Sequence, residues 1–143
     1  LEDNFAAGDF IIRLSRRPKS SIKAVLLDQT VLAGIGNIYA DEALFASKIH
    51  PLTPAGNISR AKLISLYNEI RNVLRLSIKK GGSTDRNYVD AAGQRGSYLS
   101  FAQVFRKNGH PCPRCGTEIT KIRVAGRGTH ICPRCQKLPK GQK

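Results

Sequence analysis

Methionine is missing from all 143 residues, and the chain starts at Leu1. A translation product opens on methionine, so the expectation is a C-terminal piece of a longer protein. No apolar run is long enough to cross a bilayer or to serve as a secretory signal. That excludes a helical membrane protein and predicts an intracellular, cytoplasmic, nucleoid-associated one. Acidic residues are scarce: 10 Asp and Glu stand against 24 Lys and Arg, a formal net charge of +14. Such an excess on so short a chain points to a polyanionic partner. No strongly basic amphipathic helix with exposed aromatics accompanies it, which favours nucleic acid over a membrane surface. A generically basic, solvated face is the alternative reading.

Cysteine is limited to four residues, in Cys112-Pro113-Arg114-Cys115 and Cys132-Pro133-Arg134-Cys135, with sixteen residues between the pairs. Two C-x-x-C turns at this separation have the spacing of a zinc ribbon, each aiming two thiolates at one tetrahedral ion. One structural Zn2+ held by Cys112, Cys115, Cys132 and Cys135 is therefore expected, and it lowers the net charge only to about +12. Disulfides are the competing reading, disfavoured in a reducing compartment. A thioredoxin-like redox pair is weaker still, because no βαβ pattern surrounds either motif. His110 and His130 are conceivable ligands, but with four thiolates available they read as surface or hairpin side chains. Between the pairs, Ile119, Ile122 and Val124 are strand-like, Gly126-Arg127-Gly128 is a turn, and Thr129-His130-Ile131 returns, placing Arg127 at the tip.

Earlier in the chain the periodicity is helical. Phe10, Ile11 and Leu14 form a short pattern with Asp9 as a possible cap, broken at Arg16-Arg17-Pro18. Ser20 or Ser21 caps a second helix with Ile22, Val25, Leu26 and Gln29 on one side and Lys23 on another. After Gly34-Ile35-Gly36, Asn37 caps a third helix whose first turns carry Asp41 and Glu42. A helix N-terminus behind a glycine turn offers free backbone N–H groups to a phosphate. Plain helix packing explains the same glycines equally well. His50-Pro51-Leu52-Thr53-Pro54 is a rigid connection. Ser59 then opens the longest helix, where Leu63, Leu66, Tyr67, Ile70, Val73, Leu74 and Ile78 form a core stripe stopped by Gly81-Gly82. From 81 to 100 the chain is polar and glycine-rich without periodicity, which reads as a functional or mobile loop. Tyr98 to Phe105 is a strand-like run. The fold class expected is mainly α: a helix-two-turn-helix bundle over 1–100, including a loop at 81–98, followed by a β-hairpin zinc ribbon with a basic tail over 101–143.

Lys23-Ala24-Val25-Leu26-Leu27-Asp28-Gln29, followed by Ala33-Gly34-Ile35-Gly36-Asn37-Ile38-Tyr39-Ala40-Asp41-Glu42, resembles the helix-two-turn-helix of formamidopyrimidine-DNA glycosylases. The likeness runs on to the four-cysteine ribbon. It implies that Lys23, Asn37 and Arg127 bind DNA phosphates, with Gly36 and Tyr39 in the same contact region. It further implies that the loop folds over an extruded base, a role carried onto Ser83, Arg86, Asn87 and Tyr88. Phe105-Arg106 stand where that family often has Tyr-Gly. The partner implied is double-stranded DNA with an oxidised base or abasic site, bound by a monomer, with the catalytic N-terminal domain missing.

By the same resemblance the parent is a bifunctional glycosylase and lyase that removes oxidised purines. The family's nucleophile is an N-terminal proline amine, which Leu1-Glu2 does not supply, so this chain alone is expected to bind DNA and leave it uncut. Arg127 corresponds to an arginine assigned to δ-elimination. A guanidinium with a pKa above about 12 is a poor acid and a good phosphate clamp. Three other readings stay open: a stand-alone zinc-ribbon nucleic-acid module, a structural ribbon that docks a protein partner, and a fragment of an endonuclease-VIII-type glycosylase acting on oxidised pyrimidines.

Overall fold

The computed structural model describes residues 7–28, 36–79 and 102–138, with side chains described as far as 76 in the second segment. Among these residues, four α-helices precede one antiparallel hairpin: α1 (Ala7–Leu14), α2 (Ile22–Leu27), α3 (Asn37–Ala46), α4 (Arg60–Lys79), β1 (Thr120–Val124) and β2 (Arg127–Ile131). A short 3-10 turn at Ala55–Asn57 leads into α4. None of the described helices is long and apolar enough to span a membrane. The mainly α reading with a C-terminal hairpin ribbon holds.

In α1, Phe10 and Leu14 face inward as their spacing requires. Asp9 lies inside the first turn, where its charge favours the helix N-terminus, and is not the cap. Ser21 caps α2, its Oγ accepting from the Ala24 N–H at 3.3 Å. The next orphan donors of α2 are satisfied from the His50–Pro54 connection: Ile22 N–H reaches Thr53 O at 2.8 Å and Lys23 N–H reaches Pro51 O at 3.2 Å. The rigid connection thus closes the start of α2. Gly56 permits this closure, since a β-carbon there would sit 2.9 Å from Pro18 Cβ.

Helix α3 is central. Every residue from Ala40 to Phe45 is buried, acidic ones included, because α2, α4 and β2 all pack on it. Its cap is Gly36, and Asn37 is the first helical residue, which frees the Asn37 side chain for a contact outside the helix. Asp41 and Glu42 fall beyond the first turn and are not dipole partners. At the other end Lys48 takes φ +60°, and Ile49 N–H bonds Leu44 O at 2.9 Å, a Schellman closure with lysine at the left-handed position.

The α4 stripe is core as expected: Leu63, Leu66, Tyr67 and Ile70 join Phe10, Leu14, Val25 and Leu44, and Tyr67 lies against Phe10 with ring centroids 5.4 Å apart. Lys62 N–H finds the Ser59 hydroxyl at 3.2 Å, so Ser59 does open this helix. The side chain of Ile78 lies outside the described residues. A second core joins helix to ribbon through Phe45, Val104, Cys112, Ile119 and Cys132.

Residues 102–105 are not a strand. Their course is set by the carboxylate of Glu42, which accepts from Gln103 N–H (2.8 Å), Val104 N–H (2.9 Å) and Phe105 N–H (3.0 Å). Three backbone donors on one carboxylate replace the strand partners that the apolar run alone suggests. Residues 98–101 lie outside the described set.

Replacing Glu42 by Ala leaves three backbone donors without this acceptor, two in buried bonds and one in a part-buried bond, and each buried donor left unsatisfied costs about 1–3 kcal/mol. Urea unfolding of Glu42→Ala is expected to show a loss of about 3 kcal/mol or more. A loss under about 1 kcal/mol would contradict this role.

Candidate nucleic-acid interface and metal centre

The four cysteine Sγ atoms lie within 4.8 Å of one another. Cys112 to Cys135 is 3.9 Å, Cys115 to Cys132 3.5 Å and Cys115 to Cys135 3.7 Å. Sulfurs tetrahedrally arranged about 2.3 Å from one zinc ion are about 3.8 Å apart, so the donor set fits Zn2+. Each C-P-R-C turn aims an amide at sulfur: Arg114 N–H at Cys112 Sγ (3.3 Å) and Cys135 N–H at Cys132 Sγ (3.4 Å). Such N–H···S contacts stabilise thiolates. The thiols differ as acids. Hydrogen bonding by the Thr117 hydroxyl and backbone lowers Cys115 to about 6, whereas burial raises Cys132 to about 12. With four thiolates the ion's coordination is complete, which makes the site structural.

Arg127 sits one step from the expected place. The turn is made by Ala125 (φ +54°) and Gly126 (φ +75°), and Arg127 is the first residue of β2, paired with Val124. Two positive φ values make the two-residue connection that suits the twist of paired strands. Arg127 is exposed, and among the described residues its guanidinium has no hydrogen bond or ion pair.

Behind Arg127, helix and ribbon interlock. The Gly128 carbonyl accepts from Lys23 Nζ and from Asn37 Nδ2, each at 3.2 Å. Lys23 also donates to Thr129 Oγ1 (2.7 Å) and lies 2.6 Å from Asp41 Oδ1, with both charged side chains fully buried. The second Asp41 oxygen accepts from the backbone N–H of His130 at 3.0 Å and faces its ring Nδ1 at 3.1 Å. Lys23 therefore faces inward with the apolar side of α2. Burial lowers its pKa, and the Asp41 charge opposes that shift. His130 is a buried tie to α3, with Phe105 edge-on at 4.9 Å between ring centroids.

In front of this interlock opens a cleft of about 380 Å3 that gathers Gly36, Asn37, Tyr39 and Arg127, four of the five expected DNA-contact residues, with Ile38, Phe105 and Arg106. Lys23 does not reach it. Among the described residues, Asn37 Oδ1 is buried with no hydrogen-bond partner. The N-terminus of α3, whose cap Gly36 offers no side-chain hydrogen bond, borders the same cleft. Two guanidinium residues, a helix start and no carboxylate among the described lining make a surface suited to phosphate. Ser83, Arg86, Asn87 and Tyr88 lie outside the described residues.

Sequence reasoning missed the ties that fix this geometry. Arg114 donates to Ala46 O (3.3 Å) and to Phe45 O, with Cζ 3.8 Å from the Phe45 ring centroid, so it caps the end of α3 from the ribbon. Gln136, fully buried, donates to Ile49 O at 3.1 Å and accepts from Cys132 N–H at 2.9 Å. The available signal was Asp41-Glu42 inside an otherwise apolar helical stretch, where two buried carboxylates demand partners.

Residues 1–88 match the family described as formamidopyrimidine-DNA glycosylase H2TH domain, and residues 109–138 match the zinc finger found in FPG and IleRS. The formamidopyrimidine-DNA glycosylase of Streptococcus pyogenes serotype M6 is 50% identical over 119 residues, 83% of this chain and 43% of that protein. Among solved structures, the MutM (Fpg) protein of Thermus thermophilus superposes with a TM-score of 0.85 at 40% identity, covering 97% of this chain and 53% of the other. The Lactococcus lactis Fpg in complex with DNA containing an abasic site gives 0.84 at 42% identity, covering 96% and 50%. The chain spans about half the length of the relatives it matches.

Chelating the zinc frees the hairpin and withdraws Thr129, Gly128 and His130 from Lys23 and Asp41. The far-ultraviolet helical signal is expected to persist at 25 °C while the helices melt several degrees lower. An unchanged melting temperature would contradict the interlock.

Proposed function

Because the chain belongs to the formamidopyrimidine-DNA glycosylase family, we propose that it is the damaged-DNA-binding half of a base-excision-repair enzyme, gripping duplex phosphates around an extruded oxidised purine. The observation that supports this reading best is the cleft where Asn37, Tyr39 and Arg127 meet at the start of α3. Arg127 is the outer clamp. Its guanidinium forms paired N–H···O bonds to a phosphate and keeps its charge at any physiological pH. Asn37 anchors to Gly128 through its amide nitrogen and holds the helix start beside that clamp. Gly36 lets the DNA backbone come close, since a β-carbon there would meet nothing nearer than Tyr39 at 3.8 Å and the position is open.

Lys23 has a different part from a direct phosphate grip. Its ammonium is held by Asp41, Thr129 and Gly128, so it supports the clamp from beneath. Zinc keeps the two knuckles closed and so fixes the strand that carries Arg127. Ser83, Arg86, Asn87 and Tyr88 are proposed to cover the extruded base, which costs a few kcal/mol to unstack and calls for firm phosphate contacts on either side. The helical part over 1–100 and the ribbon over 101–143 act as one monomeric binding surface, working with a catalytic N-terminal domain in the cytoplasm. Sugar chemistry is assigned to that other half, and the 143 residues by themselves bind without cutting.

Arg127→Ala is expected to weaken binding to damaged and undamaged duplexes alike and to make the slope of log K against log salt shallower by about 0.9, the counterion release of one phosphate. An unchanged slope would sink the clamp. Borohydride trapping of this chain with abasic DNA is expected to give no covalent adduct, and an adduct would overturn the division of labour.

A further inference from the structure

We infer that the hairpin face carrying Lys121 and Arg123 is a second phosphate-binding strip, which extends the grip of Arg127 along the same duplex; the inference rests on the duplex-binding reading above. From Thr120 to Ile131 the hairpin holds Lys121, Arg123 and Arg127 and no Asp or Glu. Register partners in an antiparallel pair share a face, and the register sets Lys121 opposite His130 and Arg123 opposite Gly128. The other face turns Val124, Thr129 and Ile131 inward. Phe105 packs on His130 and is also a wall of the cleft, so the face of Lys121 and Arg123 is the one beside which the cleft opens. Arg127, at the start of β2, lines that cleft.

The Lys121 side chain has a defined course. A β-carbon on Gly128 would stand 2.8 Å from Lys121 Cε and 3.5 Å from its Nζ, so the lysine stem crosses diagonally over the glycine that follows Arg127. The stem covers backbone that another residue's side chain would cover, while the ammonium stays at the surface on the Arg127 side of the hairpin. Lys121 and Arg123 are both exposed, and among the described residues neither has a hydrogen bond or an ion pair. Three cations on one hairpin without a counter-ion repel one another, and an anion removes that repulsion. A duplex carries one phosphate charge per about 1.7 Å of its axis, so one seated on Arg127 brings further phosphates to the adjoining strip.

The test uses the zinc-loaded chain and a fluorescent duplex titrated between about 50 and 200 mM salt. Lys121→Met combined with Arg123→Met keeps apolar stems on the hairpin and removes both charges. The salt slope of this double variant is expected to be shallower by about 1.8, so that it loses roughly 12-fold less affinity over the range than wild type. Lys121→Arg combined with Arg123→Lys keeps the charges and the slope. Arg60→Met removes an exposed charge at the start of α4, where Lys62 bonds Ser47 O about 15 Å along α3 from the cleft, and is expected to keep the wild-type slope. A wild-type slope in the double methionine variant, while Arg127→Ala is shallower, would overturn the inference and leave the cleft reading standing. A slope lowered as much per charge by Arg60→Met would make net charge the cause and also overturn it. Wild-type slopes in both the double methionine variant and Arg127→Ala would bring down the duplex reading itself.

Discussion

Asp41, with 1% of its surface exposed, binds the Lys23 ammonium of α2 through one oxygen and His130 of β2 through the other. A carboxylate buried this deeply is tolerated only when its charge and lone pairs are met, and a buried ammonium is subject to the same demand. Each group can stay inside only while the others hold position. The helix pair and the ribbon are consequently locked at a distance fixed by hydrogen bonds of about 3 Å. Glu42, one residue on, does the same for the connection that leads into the ribbon. Arg114 and Gln136 add two further ties from the zinc knuckles to the far end of α3.

This lock accounts for the position of the cleft. Gly128 has a carbonyl that accepts from both Lys23 and Asn37, so the residue after Arg127 is fixed on the helical side. A clamp residue on a hairpin is useful only if the hairpin cannot sway, because a guanidinium displaced by about an ångström is no longer within hydrogen-bond distance of its phosphate oxygens. Zinc closes the hairpin at its base and Asp41 fastens its returning strand. Neither zinc nor the buried carboxylate touches the cleft, yet both decide where its cations stand.

Much of this was legible in the residues. The C-x-x-C pairs and their separation announced the ribbon, because the geometry of a tetrahedral thiolate site leaves few other spacings. The α4 stripe announced the core through plain helical periodicity. The hairpin turn starts one residue earlier than Gly126-Arg127-Gly128 suggests: those residues are an obvious turn signal, but the paired strands prefer two positive φ values in succession, and Ala125 accepts one of them. Asn37 looked like a cap by composition, and Gly36 took that position because the amide was needed by Gly128. Helical spacing puts Lys23 on another side of α2 from its apolar residues, and His130 reads as a surface or hairpin side chain. Local pattern cannot show that a buried carboxylate on a third element waits for both. The strand-like run before the ribbon failed for the same reason, since Glu42 supplies from a distance what a neighbouring strand would supply locally.

The most direct test of the lock is a double-mutant cycle on zinc-loaded protein with Lys23→Met, Asp41→Asn and the pair, followed by urea unfolding. Breaking a buried ion pair from one side strands the other charge, so each single variant is expected to lose about 3–5 kcal/mol, and the double variant to lose clearly less than their sum, by at least about 1.5 kcal/mol. Additive losses within about 0.5 kcal/mol would show that Lys23 and Asp41 act independently, and the account of one interlocked helix and ribbon would fail.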